Sequence, residues 1–267
     1  MLFSSSDRVS GPVGLAPAWS AARSRLGLVA LLFALAAVGW WSTGVRMRGM
    51  DEGPWTGLGG FGWFVGVWLV MMAAMMLPSA APTVALYARM TKTRSALRPL
   101  TFTAGYLIVW GGVGVLAFAA ARVAGDVLDW DRAGRWVAGV TLVAAAAYEL
   151  TPLKTICLRK CRSPLGFLLG AWREGTAGAL EMGARHGAWC VGCCWALMAS
   201  LFALGVMSIA WSAFVAGLIA AEKVLPWRRV ATYGTAAILL ALGVLLLAAP
   251  DAIPALTIPG GHSMMMT

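Results

Sequence analysis

The run HGAWCVGCC, residues 186–194, holds three of the chain's five cysteines and one of its two histidines. On an α-helix His186, Cys190, Cys194 and Met198 fall at i, i+4, i+8 and i+12 and form one stripe, with Cys193 beside it. Imidazole, thiols and a thioether on one face make a ladder of soft metal ligands. Cys157 and Cys161 form a second close pair. The intervals Cys157–Cys161 and Cys190–Cys193 also suit zinc, whose closed tetrahedral sites draw on closely spaced ligand pairs. The methionines favour copper(I), because thioether is a poor zinc ligand while thiolate and thioether both suit copper(I). The plainer alternative is that these cysteines are small buried hydrophobes, a common place for that residue.

Further sulfur stands in MMAAMMLPSAAP, where Met71/Met75 and Met72/Met76 stack at i, i+4. Methionine often does no more than fill gaps in a core. Taking about 1.5 Å per residue, Met75 lies about 20 Å from Arg89 and Met198 about 18 Å from His186. Met75 and Met198 could therefore meet mid-membrane next to the proline break, from which an inward relay from methionine to cysteine would follow. His262, Met264, Met265 and Met266 end the chain in a tail too short to fold. They are candidates for capturing metal from outside, or carry no function. Glu149 and Glu222 lie at the inner ends of apolar segments, where ionisable residues are functional candidates. Glu149 and Glu181 could orient His186 by accepting its other ring N–H. The bland account of Glu222 is an interfacial ion pair with Lys223.

These side chains need helices in a membrane to hold them. Of 267 residues, 60% are hydrophobic and 12% charged, and the mean hydropathy is +0.78. A soluble domain carries about 25% charged residues. The expected fold is all-α, a polytopic bundle of six to seven transmembrane helices. The spans are placed at 26–43, 61–88, 101–121 and 136–151, then two within 186–222 around a turn near Gly205–Ser208, and the last at 230–249. Pro78 and Pro82 are expected to interrupt the second span, since each removes a backbone donor. Residues 1–25 read as a disordered cytoplasmic segment, 26–250 as the membrane domain and 251–267 as the tail. PLGFLLGAW, inside the cytoplasmic loop 152–185, is too short to cross. Arg23 and Arg25 before an apolar run raise the possibility of a signal peptide. With no clear cleavage site after that run, an uncleaved first helix is the better reading.

The formal charge of +10 sits in short segments between apolar runs, which points to topology and not to nucleic acid. With the N-terminus cytoplasmic in an inner membrane, the inside segments hold most of the lysines and arginines, as the positive-inside rule asks. No phosphate loop, GxSxG or HExxH is present. Two histidines are too few for a bis-histidine haem or a three-histidine copper enzyme built from this chain alone.

MMAAMMLPSAAP at 71–82, GYLIVW at 105–110, YELTPLKTICLRKCRSP at 148–164, GARHGAWCVGCCWALMASLFALGVMSIAW at 183–211 and EK at 222–223 resemble one family. It is described as a predicted metal-binding integral membrane protein, domain of unknown function 2182, and the likeness covers roughly residues 60–225. The resemblance implies a multi-helix membrane protein with a metal site, sometimes labelled a copper chaperone, and a small protein partner of unknown function. Its ligands would be His186, Cys190, Cys193, Cys194, Cys157 and Cys161, with Met75 and Met76. Ser208 stands where the family pattern leads one to look for Asn. The leading reading is therefore copper(I) handling, by delivery or passage, in the lipid bilayer, with zinc as the second metal. A subunit of a membrane-embedded, metal-dependent oxidoreductase and a structural subunit without metal are the alternatives.

Overall fold

The computed structural model describes residues 15–46, 59–91, 96–127, 130–204 and 209–248. The expected tail ligands His262, Met264, Met265 and Met266 and the turn at Gly205–Ser208 lie outside the described residues. Among those described the chain is all-helical: α1 (Leu15–Arg46), α2 (Phe61–Met90), α3 (Leu97–Val127), α4 (Trp130–Glu149), α5 (Pro152–Cys161), α6 (Pro164–Ala171), α7 (Gly175–Leu204), α8 (Ile209–Val224) and α9 (Arg228–Ala248).

Helices stand at all seven places where spans were expected. By length and apolarity four of them can cross a membrane: α2, Leu97–Val123 of α3, α7 and Arg229–Ala248 of α9. Trp136–Glu149 and Pro152–Cys161, bent by 70° at their junction, make a fifth if they count as one span. The described apolar stretch of α1 is only Ala30–Ser42. Helix α8 has 16 residues, about 24 Å, against a hydrocarbon core of about 30 Å.

Three boundaries depart from the sequence reading. Helix α1 takes in residues 15–25, expected to lack structure. Helix α7 begins at Gly175, whose φ of 77° suits glycine, so His186 sits within the helix instead of starting it. Helix α2 is not interrupted. It runs through Pro78 and Pro82, and Ser79 Oγ donates to the Met76 carbonyl at 2.8 Å, a side-chain partner for backbone beside the prolines. The patch PLGFLLGAW forms the short α6, which buries Phe167 and Leu168.

Helix α7 is the centre of the packing, and its glycines explain why. A methyl group on Gly183 would run into the Phe102 carbonyl, and one on Gly187 would lie 3.0 Å from the Tyr106 carbonyl. Small residues at this spacing let α3 and α7 approach backbone to backbone, as in membrane helix pairs. On another face Gly192 leaves room for α5, where a methyl would stand 2.7 Å from Cys157 Sγ. Tyr148 of α4 donates its hydroxyl hydrogen to the Gly192 carbonyl. Helix α2 joins through Trp68, whose Nε1 donates to the Trp110 carbonyl of α3 at 2.8 Å and whose ring stacks on Phe202 of α7 at 5.7 Å.

The bend between α4 and α5 is written in YELTPLK. Thr151 caps α5, accepting from the Lys154 backbone N–H at 3.3 Å, and Pro152 takes the first helical turn, where its missing donor is harmless. That turn points Lys154 back at the end of α4. Its Nζ lies 2.7 Å from Glu149 Oε1 and 2.7 Å from Glu222 Oε2 in the last turn of α8. All three side chains are buried. One ammonium thus ties the ends of α4, α5 and α8.

Two outcomes follow for the purified protein in detergent. Lys154→Met leaves two carboxylates buried without their cation and is expected to lower stability by about 3–5 kcal/mol, read from thermal or denaturant unfolding. Adding Glu149→Gln and Glu222→Gln should recover much of the loss. Gly183→Ala forces α3 from α7 and is expected to cost about 1–3 kcal/mol. Gly217→Ala, with nothing within 4 Å of the added carbon, should leave unfolding unchanged.

Candidate metal centre

Cys190 and Cys193 share one face of α7 because they are three residues apart. Cys161 is the last residue of α5, brought to that face by the bend at Thr151–Pro152 and by Arg162. The Arg162 guanidinium donates to the carbonyls of Glu222 and Leu225 and so fastens the end of α5 to the end of α8. The Sγ atoms of Cys161, Cys190 and Cys193 all lie within 4.8 Å of one another, with Cys193 to Cys161 at 3.6 Å. Cys190 and Cys193 are buried, Cys161 is half-buried, and none of the five cysteines is in a disulfide.

Cys190 is the most elaborately held of the three. Tyr106 of α3 places its hydroxyl 3.0 Å from Cys190 Sγ, a contact the α3–α7 glycine seam makes possible. Lys223, at the end of α8, donates to Cys190 Sγ at 3.1 Å and to Ser79 Oγ of α2 at 3.1 Å, with Met76 Sδ at 3.9 Å. A cavity of about 290 Å³ lies against the cluster, walled by Pro78, Ser79, Pro82, Tyr106, Cys161 and Lys223 among others. No carboxylate lines it among the described residues, so its polar character is hydroxyl, imidazole and cation.

The other expected ligands are placed as follows. Cys194 is buried, with its Sγ 3.3 Å from Cys193 Sγ, but it lies outside the group of three. Cys157 stands against Gly192, also outside it. His186 lines the cavity and packs among the rings of Phe102, Tyr106 and Phe167, the last at 5.0 Å. Its Nδ1 is buried without a hydrogen-bond partner, and the two carboxylates expected to orient it are engaged elsewhere: Glu149 holds Lys154, and Glu181 pairs with Arg173 and Arg185. Glu222 turns to Lys154 and not to its neighbour Lys223, because adjacent residues on a helix point about 100° apart.

Met71, Met72, Met75, Met76 and Met198 are all buried in one apolar core. Of these, Met76 is the one tied to the thiols, through Lys223. Four side chains at the centre escaped the sequence reading: Tyr106, Ser79, Lys154 and Lys223 as the partner of a thiol. Each lay in a quoted motif, GYLIVW, MMLPSAAP, LTPLK or EK. A lysine surrounded by apolar sequence was the signal available for the two cations.

A donor set of three sulfurs matches copper(I) chemistry, which takes thiolate readily and accepts low coordination. Comparison with curated proteins and with solved structures returned no significant match. A family model described as PpoB2, copper chaperone, matches residues 65–246. That stretch takes in α2 with its prolines, both thiol-bearing helices α5 and α7, and the end of α8. The chain belongs to the PpoB2 copper chaperone family.

Proposed function

We propose that this protein holds copper(I) on the thiolates of Cys161, Cys190 and Cys193 within a membrane and passes it on by ligand exchange. One observation carries the reading: three sulfurs from two separate helices converge within 4.8 Å of one another in a mostly buried setting. Zinc is the second reading: Cys194, 3.3 Å from Cys193, would complete a four-thiol set, while the copper-chaperone family model favours copper(I). Copper is cargo here, so a site of three sulfurs with a further thiol, Cys194, 3.3 Å from Cys193 suits a metal that must also leave. Exchange forms one metal–sulfur bond as another breaks, and no electron is transferred.

The finer features belong to the same proposal. The protein crosses the cytoplasmic membrane six to seven times with its N-terminus inside. The small protein that the sequence resemblance implies as partner supplies or receives the ion.

The test is the copper content of protein purified in mild detergent under reducing conditions. Cys161→Ser and Cys193→Ser are each expected to lose most of the bound copper, while Cys157→Ser, whose sulfur stands apart against Gly192, keeps it. Equal loss in all three, or full retention in the first two, would remove the assignment.

A further inference from the structure

Two lysines are turned inward at this end of the bundle, and their surroundings differ in kind. Lys154 faces carboxylate oxygens, the hard acceptors an ammonium favours. Lys223 faces two sulfurs and one hydroxyl: Cys190 Sγ at 3.1 Å, Ser79 Oγ at 3.1 Å and Met76 Sδ at 3.9 Å. Thioether is a weak acceptor for an ammonium but a good ligand for a soft cation. The Lys223 ammonium therefore stands in a place whose donors suit another ion. Lys223, Ser79 and Cys161 also line the cavity beside the cluster, which gives the ammonium room to move. Met76 and Cys190 are buried outside that lining, so an ion reaches them only once the ammonium has moved.

We propose that Lys223 is the place-holder of a second soft-cation station, made by Met76 of α2 and Cys190 of α7, through which copper(I) enters or leaves the three-thiol site. The station rests on the reading of that site, with which it shares Cys190. The ammonium, keeping its proton, swings into the cavity as the ion arrives. Metal–sulfur bonds are about 2.3 Å long, so both sulfurs draw in around the smaller ion. Passage to the three-thiol site keeps the bond to Cys190, breaks the one to Met76 and forms bonds to Cys161 and Cys193, whose thiol protons are released to water in the cavity that Cys161 lines. The ion stays copper(I) throughout.

The test is anaerobic copper(I) transfer between full-length protein and the chromophoric chelator bicinchoninate, with bound copper measured in the same samples. Removing the occupant removes the fraction of time the station is blocked, so Lys223→Ala is expected to speed transfer about tenfold. Lys223→Arg, which keeps an occupying cation, should transfer as the wild type does. Met76→Leu added to Lys223→Ala should abolish the gain while leaving bound copper unchanged. Slower transfer or lost copper in Lys223→Ala would overturn the proposal, making the ammonium a counter-charge the thiolates need. A gain that survives Met76→Leu would overturn it too, since the thioether would not be a ligand. Wild type that holds no copper would remove the three-thiol reading itself, whereas loaded wild type with unchanged rates in Lys223→Ala removes the station alone.

Discussion

A single ammonium, Lys154 Nζ, sits between two buried carboxylates at the meeting of three helix ends. Moving such charges from water costs several kcal/mol per ion, and mutual attraction repays it only with good geometry. Its contribution is thus better seen as position than as net stability. Glu149 ends α4, Lys154 opens α5 and Glu222 closes α8, so satisfying this ion group fixes how α5 folds back and where α8 stops. Those two placements decide where Cys161 and Lys223 stand.

From there the centre assembles by short steps. Helix α7 alone can align sulfurs along a stripe, but successive members at i, i+4 climb about 6 Å along the axis, too far for one ion to bind them all. A compact site needs a sulfur from elsewhere, and the end of α5 supplies Cys161. The α3–α7 seam, closed over Gly183 and Gly187, brings the Tyr106 hydroxyl to Cys190. Glu222 and Lys223 are sequence neighbours that face different partners: one completes the hard, oxygen-lined ion group, the other enters the soft, sulfur-lined one. The separation of hard and soft surroundings over so short a distance is the chemical character of this end of the molecule.

The helices were legible in composition and apolar runs, and the sulfur-rich stretch was legible as the place to look. What local pattern could not give is which stripe members share a site. Cys190 and Cys193 join Cys161, with Cys194 against Cys193, while Cys157 faces Gly192. His186 was read as the head of the stripe, yet it is set among aromatic rings, because α7 starts a full three turns earlier and buries that position against α3 and α6. Pro78 and Pro82 read as a break on donor counting. The helix continues through them, with Ser79 bonding the backbone and the cavity beside it. Lys154 falls within the expected cytoplasmic loop and Lys223 reads as the ion-pair partner of Glu222. Apolar surroundings flag such lysines, but which carboxylate or sulfur each one meets is decided only in space.

The central claim is that copper(I) is held by sulfur alone, on thiols from α5 and α7. X-ray absorption at the copper edge of the anaerobically loaded, full-length protein measures this directly. The account predicts copper(I) with a first shell of three sulfurs and no nitrogen. A shell containing imidazole nitrogen, or one filled by oxygen, would contradict it.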